Sequence, residues 1–183
     1  MNLSQTYTNC RSFISEKSVA ASTFKVVCAS LFLALCAQIT IPLYFTPVPI
    51  TGQTFGVMLI GALLGSKQGA MSVLLYIVEG ALGMPVFAAG SFGIAPLIGL
   101  HAGYFVGFIV QAYLTGLFFE RMTKCTYWSV IGALLVTSVI QMGLGVVWLA
   151  QFIGFSSAMV MGFYPFVLGG IIKILAVSKL VVK

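Results

Sequence analysis

The chain has 183 residues, 60% of them hydrophobic and only 7% charged, with a net charge of +6; an ordinary soluble domain carries about 25% charged residues. With a mean hydropathy of +1.11 there are too few polar side chains to clothe a soluble globule, so a soluble enzyme, a disordered chain and a disulfide-rich secreted scaffold are excluded. What remains is a polytopic helical membrane protein, in which the basic excess is a topology signal and not a nucleic-acid signal.

Residues 1–22 mix Asn, Ser, Thr, Arg, Glu and Lys and lack the hydrophobic core of a cleavable signal. They are expected to form a cytoplasmic N-terminal segment ahead of a single six-helix membrane domain over 23–183. The first span is expected at Thr23–Thr40, ended by Pro42. Pro42, Pro47 and Pro49 then exclude a helix from the uncharged stretch 41–52. The second span is read at Gln53–Gly65 and the third at Gly69–Gly83, separated by Ser66, Lys67 and Gln68. Each is short, about 21 Å at 1.5 Å per residue, against a hydrocarbon core of about 30 Å. After Pro85 comes a second uncharged stretch, 84–98, rich in small residues. The fourth span is read at Gly99–Phe119, the fifth at Tyr127–Phe152 and the sixth at Met159–Val182. Irregular backbone at membrane depth needs a cavity or protein to shield it, so the two uncharged stretches are natural walls of a cavity.

Arg11, Lys17, Lys25, Lys67, Arg121, Lys124, Lys179 and Lys183 all fall on one side if both termini are cytoplasmic. The fold class expected is an all-α integral membrane protein with six transmembrane helices and both termini in the cytoplasm. Two rows of glycine at spacing four, Gly61-Gly65-Gly69 and Gly99-Gly103-Gly107, suit close helix packing or a docking face.

Chemistry-bearing motifs are few. Gly61 to Lys67 superficially suggests a phosphate loop, but its glycines are one residue too close and Gln68 stands where Ser or Thr is required. Ser91 and His101 lack a nucleophile elbow, and the chain has no Asp. No CxxC is present, and the single His is far from any Cys, so no metal or cofactor is expected. Two ionisable residues fall inside spans, Glu79 and Lys173, and charge at bilayer depth is costly enough to mark a function or a pair. They are expected to pair with each other or to have Lys173 face a cavity and donate to a polar ligand, and the two can coexist. Tyr44, Phe45, Phe87, Phe92, Tyr164 and Phe166 gather near the uncharged loops with Gln53 and Thr51, the makings of an apolar small-molecule enclosure with few polar groups.

An ordered set of motifs now stands out. Pro42 is followed by Thr46-Pro47-Val48-Pro49-Ile50-Thr51-x-Gln53; then comes Tyr76-x-x-x-Gly80-x-x-Gly83-x-Pro85-Val86-Phe87; then Gly93, Gly99 and Gly103-Tyr104; then Pro165-Phe166 with Lys173. From the first span onward the chain resembles the BioY family, the biotin-binding S components of energy-coupling factor (ECF) transporters. The resemblance implies biotin captured near the outer face of the cell membrane, and no enzymatic activity. It also implies a complex with one transmembrane coupling subunit and two ABC ATPases, which agrees with the missing phosphate loop. Implied substrate contacts are Lys173 as polar anchor, with Gln53, Thr51 and Tyr104 behind it. The 84–93 loop, with Ala88, Ala89 and Gly90, would form a lid, Phe87 and Tyr164 would pack on the bicyclic ring, and Phe166 and Gly170 would complete the site. The family's docking strip on the first span, usually Ala-x-x-x-Ala, best matches Ser30-x-x-x-Ala34.

The departures matter. Gly170 stands where the family usually has Asp, a polar Asn expected after Phe87 is absent, and His101 interrupts a usual Gly-Pro-Thr-Gly-Gly-Tyr run. Glu79 occupies a normally apolar position and is expected to supply the lost negative charge to the site. A shifted ligand, such as a biotin precursor or another vitamin, is one alternative; a stand-alone facilitator is another.

Overall fold

The structure, a computed structural model, describes residues 19–123 and 125–182. Cys10, Arg11, Lys17, Lys124, Lys183 and most of the expected N-terminal segment lie outside the described residues. The helices are α1 (Val19–Gln38), α2 (Gln53–Ala81), α3 (Ala95–Ile98), α4 (Ala102–Arg121), α5 (Tyr127–Ile153), α6 (Phe155–Gly162) and α7 (Tyr164–Val181). A 3-10 turn covers Ala88–Gly90, and two short strands, β1 (Thr40–Ile41) and β2 (Ile50–Thr51), pair antiparallel. Among the described residues five stretches are long and apolar enough to cross a membrane: α1, α2, α4, α5 and the α6–α7 run Phe155–Val181.

The boundary differences have local causes. The first helix already includes Val19, the first of the described residues, ahead of the expected start at Thr23. The prolines do exclude helix from 42–49, but the flanks of that loop zip into the β1–β2 ribbon, Thr40 opposite Thr51. The last expected span breaks at Phe163, and Pro165 sits in the first turn of α7, where its missing N–H costs nothing.

Continuous in name, α2 is folded back on itself. Gly65 has φ 82° and ψ −178°, a conformation that only glycine adopts without strain. A straight helix would hold residues 61 and 69 about 12 Å apart; here a Cβ on Gly69 would lie 3.1 Å from Gly61 Cα. Likewise Gln53 Nε2 donates to Tyr76 Oη at 2.7 Å, across what would be about 34 Å of straight helix. The two arms of α2 are therefore antiparallel. Their turn is pinned by Glu120 of α4, whose carboxylate accepts from the Ser66 backbone N–H at 2.7 Å and from Ser66 Oγ. An anion there caps the exposed N–H groups that open the second arm.

Polarity is arranged inside out. Large apolar side chains such as Phe24, Leu35 and Leu168 are exposed on the periphery. Ser30, Ser72, Gln111, Thr115, Thr137, Ser138 and Gln141 are buried inside. In lipid, polar groups turn inward and bond across helices, as in Gln111 Nε2 to Ser138 Oγ at 3.0 Å and Thr115 Oγ1 to Thr137 Oγ1 at 3.1 Å. The glycine rows serve helix contact: Gly61 lies against the Ala112 carbonyl, Gly103 against Trp148 and Gly107 against Gln141.

Candidate ligand-binding cavity

The loop 42–49, the start of α2, the 86–91 segment, α4, α5 and α7 enclose a cavity of about 320 Å³. Its walls are mostly apolar: Met58, Phe87, Phe105, Phe108, Met142 and Phe166 among them. Phe87 is buried between Tyr76 and Phe105, with ring centroids 5.5 and 4.9 Å away. Gly80 makes this seat, since a Cβ there would lie 2.1 Å from the Phe87 ring.

Lys173 projects into this enclosure from α7. Its Nζ donates to the Thr51 carbonyl at 2.6 Å and to Thr54 Oγ1 at 2.7 Å. An ammonium has three donors, so two orient it and the third is uncommitted. Most other polar side chains on the walls are already engaged. Thr51 Oγ1 donates to Gln53 Oε1, and Tyr104 Oη donates to the Gly162 carbonyl at 2.9 Å. His101 Nε2 donates to the Pro47 carbonyl at 2.9 Å, while Ser91 Oγ donates to the Ala88 carbonyl. Each is thus turned to a backbone carbonyl.

Of the residues singled out in the sequence, Lys173, Gln53, Thr51, Tyr104, Phe87, Ala88, Phe166 and Gly170 line this one cavity. Four others do not. Ala89 and Gly90 lie in the 3-10 turn beside Ala88, at φ 55° and 69°, and are not among the wall residues. Tyr164 is exposed, its ring against Phe163. It precedes Phe166 by two residues, about 200° around the helix, so one ring points in and the other out.

Glu79 is the main correction. It is absent from the cavity walls, and among the described residues no ion pair joins it to Lys173. Gly80 faces Phe87, and its neighbour Glu79, about 100° further round, faces α1. There Glu79 Oε1 accepts from Ser30 Oγ at 3.0 Å. The expected docking strip is affected too: Ser30 is fully buried by this contact, and Ala34 packs half-buried against the same core. Of that strip, Ser30 is thus turned to the protein's own second helix arm, while Ala34 stays partly exposed.

The sequence reading missed Thr54, Met58, Phe105, Phe108, Ser138, Gln141 and Met142, all on the walls. A signal existed on α5: Ser138 and Gln141 are three residues apart and share one face of an otherwise apolar helix.

A scan against family models matches residues 9–183 to the BioY family. The chain belongs to the BioY family. A probable BioY biotin transporter of Pyrococcus horikoshii is 41% identical over 137 residues, covering 75% of this chain and 79% of the relative. The biotin transporter BioY of Thermotoga maritima is 34% identical over 154 residues, 80% of this chain and 85% of the relative. Among solved structures, the S-component for biotin from an ECF-type ABC transporter superposes with a TM-score of 0.82 at 25% identity, over 92% of both chains. The BioY family is one of membrane transporters and not of enzymes. Membership and the apolar helices make this chain a multi-pass membrane protein.

Proposed function

We propose that this protein captures biotin in the cavity beside Lys173 and delivers it across the cell membrane as the S component of an ECF-type transporter. The observation that carries the reading is the cavity itself: apolar aromatic walls, with one ammonium held by Thr51 and Thr54 and one of its donors free. Biotin is a compact apolar bicycle with two polar ends, a cyclic urea and a carboxylate. The aromatic walls suit the bicycle, and Lys173 suits an oxygen at either polar end. Loop 42–49 and the 86–91 segment cover it. The energising partners would be a transmembrane coupling subunit and two ABC ATPases.

The proposal includes six crossings, with α2 counted as two through its reversal at Gly65. Lys67, Arg121 and Lys179 support a cytoplasmic side for that reversal and for both termini. It also treats 23–183 as one membrane domain behind a cytoplasmic segment 1–22.

The test is calorimetric titration of biotin into the purified protein in detergent. Saturable binding at one site per chain is expected. A folded protein that ignores biotin would overturn the reading and move the search to a biotin precursor or another vitamin. Recovery without ATPase partners from native membranes would favour a stand-alone facilitator.

Glu79 supplies a second check. Because its carboxylate faces Ser30 and not the cavity, Glu79→Gln should leave biotin affinity unchanged in the same titration. A large loss of affinity would bring Glu79 back to the site.

A further inference from the structure

We propose that the side-chain amide of Gln141 is the partner of biotin's cyclic urea, in place of the carboxylate that position 170 lacks. The inference rests on reading the cavity as the biotin site. Gln141 is 2% exposed, yet it lines the cavity. Among the described residues it is the one polar side chain on these walls that makes no hydrogen bond. Its neighbour one turn earlier, Ser138, is saturated: Ser138 Oγ accepts from Gln111 Nε2 and contacts Met58 Sδ at 3.5 Å. With no protein partner and a place on the cavity wall, its amide is poised for a ligand.

Its position is built. Gly107 of α4 packs directly on Gln141: a Cβ there would sit 2.8 Å from the Gln141 carbonyl oxygen and 3.1 Å from its Cγ. The absence of a side chain at 107 thus seats the stem of Gln141 against α4.

The chemistry selects the urea. A primary amide offers an acceptor and a donor side by side, and a cyclic urea presents an N–H beside a C=O on one edge, so two parallel hydrogen bonds match. A carboxylate would use only the donor half. Gly170, on the α7 wall, has open space and no side-chain acceptor. The acceptor for the urea N–H must come from elsewhere, and Gln141 Oε1 is uncommitted.

The experiment titrates wild type and Gln141→Leu with three probes: biotin, biotin amide, whose carboxylate is neutralised, and biotin methylated on its urea nitrogens. Gln141→Met is the second variant if Leu impairs folding. Wild type should bind biotin; if it does not, the parent reading fails and not this one. Given binding, loss of the amide should weaken biotin and biotin amide by the same factor, about tenfold to a hundredfold. It should leave the methylated analogue, already weak, unaffected. Three results would overturn the proposal. One is biotin binding as tight as wild type. Another is a penalty that vanishes with biotin amide, which would move the contact to the carboxylate. The last is an equal penalty for all three probes, which would make Gln141 merely structural.

Discussion

Lys173→Ala should weaken biotin binding about a hundredfold, the value of a charged hydrogen bond of about 2–3 kcal/mol. The ammonium is oriented by the Thr51 carbonyl and Thr54 Oγ1 before any ligand arrives, so the third donor is aimed at little entropic cost. Removing it would take away the proposed ligand bond and also release α7 from Thr51 of β2. The two effects separate with Lys173→Arg, which keeps charge but carries a larger planar head and should recover only part of the affinity. Titration of biotin amide adds the orientation. If Lys173 pairs with the carboxylate, the amide is already weak and Lys173→Ala costs it little further. If Lys173 donates to the urea carbonyl, both probes lose equally. Affinity for biotin that survives Lys173→Ala would make this lysine a structural charge.

The second large effect is on the fold. Gly116→Ala should cost about 3 kcal/mol, at the upper end of overpacking penalties, or roughly 10 °C of melting temperature for a chain this size. A Cβ at 116 would meet Gly65 C and Ser66 N, each at 2.2 Å. Both are backbone atoms in the reversal of α2, so no side chain can rotate away. Moving them would also disturb the Ser66–Glu120 bonds that cap the second arm. A thermal melt of the purified protein checks this; an unchanged melt would mean the reversal can slide on α4. By contrast Gly132→Ala, with nothing within 4 Å of the new Cβ, should be neutral.

Most of the fold was legible because lipid imposes two simple demands: apolar length and internal hydrogen bonding. The break after Gly65 was visible as Ser66-Lys67-Gln68, although the chain reverses one residue before it, through the φ that Gly65 allows. The break at Phe163 was harder, since an apolar run continues through it and only Pro165 marks the place. The site was legible where residue type is unusual for its surroundings, as with Lys173 in an apolar helix or prolines at membrane depth. Glu79 satisfied the same criterion and was misplaced, because depth says nothing about which way a side chain faces. That direction is set by helix packing, here by Gly80 closing on Phe87. Gln141 escaped notice for the opposite reason: an uncharged amide in a 27-residue apolar helix draws no attention until its lack of a partner is seen.

Loop 42–49 is clasped at three points: Thr46 Oγ1 on the Met161 carbonyl, Pro47 by His101, and Thr51, at its far flank, by Lys173. Pro47, Val48 and Pro49 of that loop are cavity walls, so passage of a ligand on that side depends on the clasp. Dwell time and affinity are then set by different residues. Loosening the clasp away from the ligand speeds arrival and departure together and leaves their ratio, and so affinity, nearly constant. Strengthening a contact on the walls slows departure alone. A protein that must first hold its cargo and later surrender it can tune the two separately.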